Sequence, residues 1–172
     1  TGVWQTVWLE PLPAAAIERL TIVPDIDKGT VSVAAVTTGR AQGLRLRATI
    51  AEEKLPVASA EGPAARPVTI TVPMPRLWSP KQPFLYMLTV TLSSGERVVD
   101  EVLSYVGLRK ISIGRTADGV ARILVNNEPL FQYGFLDQGF WPDGLHTAPT
   151  DEAIRFDIAA TLGFGMNLAR KH

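Results

Sequence analysis

FQYGFLDQGFWPDGLHTAPTDEAIRFDIAATLGFGMNLARKH, residues 131–172, decides the architecture. It opens as a short apolar strand and turns through a loop rich in aromatic residues, Gly and Pro. A helix follows: Thr150 is placed as N-cap, with Asp151 and Glu152 in the first turn, where carboxylates oppose the positive end of the helix dipole. Ile154, Ile158 and Leu162 fall at i, i+4 and i+8, one apolar stripe, and Gly163 is the expected C-terminal stop. Residues 164–169 then form a second apolar strand. A βα unit followed by a strand belongs to a larger parallel sheet or barrel. The chain is therefore expected to stop within a domain.

Working back from that stretch, the preceding signal is almost purely β. Leu44, Leu46, Ala48 and Ile50 alternate with Arg45, Arg47 and Thr49, a strand with one apolar and one wet face. Val31, Val33 and Ala35, then Val68, Ile70 and Val72, then Phe84 to Leu92 follow the same period of two. Turn sequences separate the runs: Asp27-Lys28-Gly29, Thr38-Gly39, Gly62-Pro63 and Ser94-Gly95. The spacing predicts strands over 17–23, 29–37, 43–53, 55–60, 67–73, 84–93 and 97–106. About seven short strands within about 95 residues suggest an immunoglobulin-like sandwich. Asp118-Gly119 predicts a hairpin between residues 111–113 and 121–125. A second turn follows at Asn126-Asn127.

The first residues, TGVWQTVWLEP, alternate as a strand up to Pro11 and Pro13. A chain that opens in a strand and closes in a βα repeat is expected to be a fragment at both ends. Seventeen basic residues balance seventeen acidic ones, so no net field attracts nucleic acid or an anionic surface. There is no Cys, which excludes disulfides, thiolate metal sites and a thiol nucleophile and leaves the compartment open. No apolar run approaches the roughly 20 residues of a membrane-spanning helix. No Gly-rich phosphate loop is present, and no cofactor or metal is expected. Nucleic acid and membrane are not expected partners.

Three motifs then converge. TGVWQTVWLEP resembles the strand that closes the sugar-binding jelly roll of glycoside hydrolase family 2. Leu77-Trp78-Ser79-Pro80-Lys81-Gln82-Pro83-Phe84-Leu85-Tyr86 resembles the Trp-Ser-Pro motif of that family's immunoglobulin-like domain. Gly107-Leu108-Arg109, with Asn126-Asn127-Glu128-Pro129-Leu130, resembles its linker into a (β/α)8 catalytic barrel. The resemblance implies three parts. Residues 1–12 are the last strand of a missing jelly roll, 13–110 an immunoglobulin-like β-sandwich, and 111–172 a hairpin plus the start of a truncated TIM barrel. The fold class is mainly β, a sandwich followed by the first βα unit of that barrel.

The resemblance also implies a chemistry. The family retains anomeric configuration with two carboxylates about 5–5.5 Å apart, an acid/base and a nucleophile. Both come from later barrel strands, so no catalytic residue is expected here. Asn127-Glu128 imitates the family's Asn-Glu pair, but it sits in a turn ahead of the first barrel strand and is expected to be a solvated Glu. The site-supporting candidates lie at the strand C-terminal ends, where barrel active sites form: Asp137, Trp141, Arg170 and His172. Asn167 to His172 resembles the family's N-x-x-R-x-x-H segment, with His one place early. There the Arg supports the nucleophile and the His faces the sugar. Asp137 is either a sugar ligand or a loop cap, and Trp141 either stacks on a pyranose or packs the loop. His146 is expected to be a loop residue. Trp4, Trp8 and Trp78 are expected as core or interface anchors, and the Arg45/Arg47 face as solvated.

The expected function is thus that of a fragment of a retaining glycoside hydrolase, cleaving terminal β-glycosidic bonds in carbohydrate catabolism and inactive alone. Its expected partner is a β-glycoside. An uncovered strand and helix face leave self-association into a homo-oligomer as one outcome, beside packing on the sandwich or mobility. The alternative is a non-catalytic β-sandwich module with a scaffolding or carbohydrate-contact role.

Overall fold

The computed structural model describes residue 3, residues 6–39 and residues 41–172. The chain divides into two compact units, residues 11–129 and residues 1–10 with 130–172.

The larger unit contains the sandwich. Its strands are β1 (Ile17–Asp25), β2 (Thr30–Thr37), β3 (Arg45–Glu52), β4 (Leu55–Pro63), β5 (Val68–Thr71), β6 (Tyr86–Ser94) and β7 (Arg97–Val106). They form one sheet in the order β1-β2-β5 and another in the order β4-β3-β6-β7, and every pairing is antiparallel. The expected sandwich is borne out, because the period-two residues are the ones that meet. Val31 and Val33 of β2, Leu46, Ala48 and Ile50 of β3, Ile70 of β5, and Leu88, Val90 and Leu92 of β6 have no solvent exposure. Burying each of the larger side chains contributes roughly 1.5–3 kcal/mol. No charged side chain is buried among the described residues.

Polar contacts close the sandwich at its edges. Asp100 on β7 accepts the peptide N–H of Ile17 on β1 at 2.7 Å, joining the two sheets. The Tyr86 hydroxyl, at the start of β6, accepts the Arg76 N–H at 2.8 Å, much as the tyrosine corner of immunoglobulin-like domains does. Arg45 and Arg47 stand exposed on the outer face and share Glu61.

A hairpin extends this unit. β8 (Ile111–Arg115) pairs with β9 (Ala121–Val125), and β9 with the short β10 (Glu128–Pro129). Asn126 and Asn127 both adopt left-handed backbone, φ 54° and 70°, which suits the tight turn their residue type signals. Asn126 Oδ1 accepts the Lys110 N–H at 3.0 Å, and its Nδ2 donates to the Trp78 carbonyl at 2.9 Å. Asn127 Nδ2 donates to Asp27 at 2.9 Å, and the Lys110 ammonium joins the same carboxylate. These bonds group residues 111–129 with the sandwich, so the boundary between units falls at 129/130, beyond the expected 110. Trp78 is half-buried, with the Arg109 guanidinium 4.5 Å above its ring.

In the smaller unit, β11 (Gly134–Asp137) and β12 (Leu168–Lys171) pair in parallel, with α1 (Asp151–Gly163) between them in sequence. Thr150 caps α1 as expected, its hydroxyl accepting the Ala153 N–H at 3.2 Å. The helix end differs from expectation. Gly163 is still helical, and the left-handed residue is Gly165, φ 74°. Gly165 donates to Leu162 O at 2.9 Å and Met166 to Thr161 O at 3.1 Å, the two bonds of a Schellman cap. Because the cap consumes residues 164–166, β12 starts at Leu168 rather than at 164. β11 likewise starts at Gly134 rather than near 130.

None of residues 130–172 is buried. The stripe of Ile154, Ile158 and Leu162 exists, but each is more than 40% exposed. The expected first strand is not seen in residues 3 and 6–13, which pair with nothing; a strand needs a neighbour to supply its ladder. Trp8 is 74% exposed and therefore no core residue, and Trp4 lies outside the described residues.

Candidate functional site

The pleat of β11 and β12 sorts the candidate residues. The register pairs Leu136 with Arg170 and Asp137 with Lys171. Side chains alternate between the faces of a strand. Phe135, Asp137, Ala169 and Lys171 line a cleft of about 760 Å³ together with α1 residues such as Asp157 and Ile158. Leu136 and Arg170 are absent from that lining and take the opposite face. Trp141 and His172 border the cleft from the loop and the strand end. The four predicted site residues thus fall into a group of three and Arg170 by itself.

Asp137 acts as the junction of the strand ends. Its Oδ1 accepts the Gly139 N–H at 2.7 Å, a short turn that swings the chain into the loop. Its Oδ2 pairs with the Lys171 ammonium from β12. Its backbone carbonyl accepts the His172 N–H at 2.8 Å. The Lys171 hydrogen bond, and after it the Gly139 N–H, hold the carboxyl below the ordinary carboxylate range, because both favour the charged form. Of the two expectations for Asp137, loop capping describes these contacts. Arg170 makes no ion pair or hydrogen bond among the described residues, so its guanidinium is available on its own face.

The loop between β11 and α1 folds on itself. Trp141 and Leu145 exchange both backbone bonds, 2.8 and 3.1 Å, and Thr147 N–H donates to Gly144 O at 3.0 Å. Leu145 is left-handed, φ 54°. His146 lies with its ring centroid 5.0 Å from that of Phe140. Trp141 is therefore a half-buried member of a closed turn, with Phe140 and Leu145 more than 60% exposed beside it. Glu128 is exposed on β10, as its turn position suggests.

Two contributors were not among the predicted site residues. Lys171 neutralises Asp137, a pairing that only the register brings about. Asn167 bonds across to Phe131 and Tyr133, just ahead of β11. The sequence marked it only as the first residue of the N-x-x-R-x-x-H resemblance, although a polar group in an apolar run needs partners. No group of His, Asp or Glu capable of holding a metal ion is found among the described residues.

A seven-stranded sandwich followed by a helix-linked parallel strand pair defines a multidomain protein of mixed β and α/β build. The chain belongs to glycosyl hydrolases family 2: the family model matches residues 15–109, more than half of it. No curated protein matches the chain. Among solved structures it is similar to the β-glucuronidase of Ruminococcus gnavus in complex with C6-substituted uronic isofagomine, at 21% identity and TM-score 0.79, covering 93% of this chain and 26% of that one. The same enzyme with D-glucaro-d-lactam gives 21% identity, TM-score 0.79 and the same coverage. Its crystal structure gives 22% and 0.76, covering 92% and 26%. At these identities the likeness is one of fold. The chain spans about a quarter of the length of these enzymes.

Proposed function

We propose that residues 13–129 are the spacer sandwich, and residues 130–172 the opening strands of a (β/α)8 barrel, in a retaining glycoside hydrolase that cleaves terminal β-glycosides. In this reading residues 1–12 belong to a preceding jelly roll. The observation that carries it is the parallel β11–α1–β12 pair directly after the family-matched sandwich, with Arg170 unpaired on the face away from the cleft. In a barrel that inner face would turn a free guanidinium toward a nucleophilic carboxylate, and a cation there keeps such a carboxylate ionised. His172 and Trp141, which border the cleft on the α1 side, would reach a sugar only over the C-terminal rim of the strands, where barrel sites form. The neighbouring enzymes act on β-glucuronides by name, so a glucuronide belongs among the substrates tried.

The isolated chain is expected to be inactive, since one βα unit cannot enclose a substrate or supply two facing carboxylates. Purified protein assayed with nitrophenyl β-glucuronide, β-galactoside and β-mannoside should give no turnover. Turnover that Glu128→Gln abolishes would overturn the assignment.

A further inference from the structure

We infer that Asn167 is a positioning residue that sets the register of β12 on β11 and, through it, the face Arg170 presents. The importance of Arg170 rests on the function proposed above, whereas the register itself does not. Asn167 makes three bonds to one neighbouring segment. Its backbone N–H donates to Tyr133 O at 2.9 Å. Its Oδ1 accepts the Tyr133 N–H at 3.0 Å, and its Nδ2 donates to Phe131 O at 2.9 Å.

The geometry has a physical cause. The backbone N–H groups of residues 164–166 are used in the helix cap, so no strand backbone ahead of Asn167 serves Phe131 O and Tyr133 N–H. The Asn side chain carries the same donor and acceptor as a peptide group. It fills the place of a missing strand residue and extends a four-residue ladder backward. Four paired residues on an uncovered sheet specify register weakly. A one-residue slip would exchange the faces and carry Arg170 into the cleft in place of Lys171. An amide that fits the Phe131 carbonyl and the Tyr133 N–H, in the segment leading into β11, opposes that slip. At the other end, the Asp137–Lys171 pair closes the ladder in the same register.

The test reads register without any substrate, so its failure is separable from that of the proposed function. Amide exchange and inter-strand nuclear Overhauser contacts would be recorded on the whole chain, as wild type, Asn167→Ala and Asn167→Asp. Sandwich amides report that each variant is folded. Asn167→Ala should lower protection of the Tyr133 amide by about tenfold and weaken the contact of Arg170 with Leu136. Asn167→Asp keeps the acceptor but loses the donor to Phe131 O, and it should restore Tyr133 protection in part. Wild-type protection and wild-type Arg170 contacts in Asn167→Ala would overturn the inference. So would an Asn167→Asp chain as damaged as Asn167→Ala.

Discussion

The hydroxyl of Tyr86 accepts the Arg76 N–H at 2.8 Å, fastening the loop ahead of the Trp-Ser-Pro motif to the first residue of β6. Tyr86 is 3% exposed, so water reaches the hydroxyl poorly. Tyr86→Phe keeps the ring but strands the donor, which should cost about 1–3 kcal/mol. Urea unfolding followed by Trp fluorescence would measure it; an unchanged midpoint would remove this bond from the account of the sandwich.

The turn at Asn126-Asn127 makes a paired prediction. Both residues are left-handed, but only Asn126 also bonds Lys110 N–H and Trp78 O. Asn127→Gly should be nearly neutral, since Gly favours that backbone and gives up only an exposed bond to Asp27. Asn126→Gly should lose about 1–2 kcal/mol, despite the same backbone preference. Equal effects at the two positions would mean that the side-chain bonds contribute nothing.

These cases show how far the sequence reaches. The seven sandwich strands were legible because the period-two alternation is strong, turn residues mark several of their boundaries, and each inner residue has a partner within the chain. The ends of β11 and β12 were not. Phe164 looked like strand by its apolarity, whereas the hydrogen bonds of the helix cap claimed it. The Asp137–Lys171 pair depends on a parallel register that no local pattern encodes. Arg170 was singled out through the family resemblance, and only its lack of a partner among the described residues came from the geometry.

Gly165 should resist substitution more than Gly163. Gly165 is left-handed, φ 74°, where a Cβ costs roughly 1–2 kcal/mol. Gly163 is helical with open space around it, and Ala there should gain about 0.5–1 kcal/mol. Circular dichroism of the two Ala variants during thermal unfolding would separate them, and a reversed order would refute the cap assignment.

The pH dependence of the smaller unit follows from Asp137. Lys171 and the Gly139 N–H depress its folded-state value below the unfolded value of about 3.9. The contact therefore stabilises in full above about pH 4 and fades as the pH falls through the depressed value. Exchange at the Gly139 and His172 amides, corrected for intrinsic rates, should be level from pH 5 to 7 and rise below pH 4. Asp137→Asn should abolish that rise, and persistence of the rise would point to another group.

Hydrogen exchange should also divide the chain. The inner strands β3 and β6 carry the buried residues, whereas residues 130–172 include none. Local stability follows burial, so residues 131–172 should exchange well before the inner sandwich strands. Uniform protection across both units would show that the smaller one is covered in solution, by self-association or otherwise.

The sandwich core buries no charged side chain among the described residues, and this bears on how acid acts on the chain. With no carboxylate, imidazole or ammonium buried inside it among the described residues, its cohesion meets acidity only through carboxylates nearer the surface, such as Glu61 beside Arg45 and the Asp100 that joins the two sheets. Acidity therefore acts at the edges of the molecule: at the Asp137–Lys171 pair in the smaller unit and, in the larger, at the Asp27 carboxylate that holds Lys110 and Asn127.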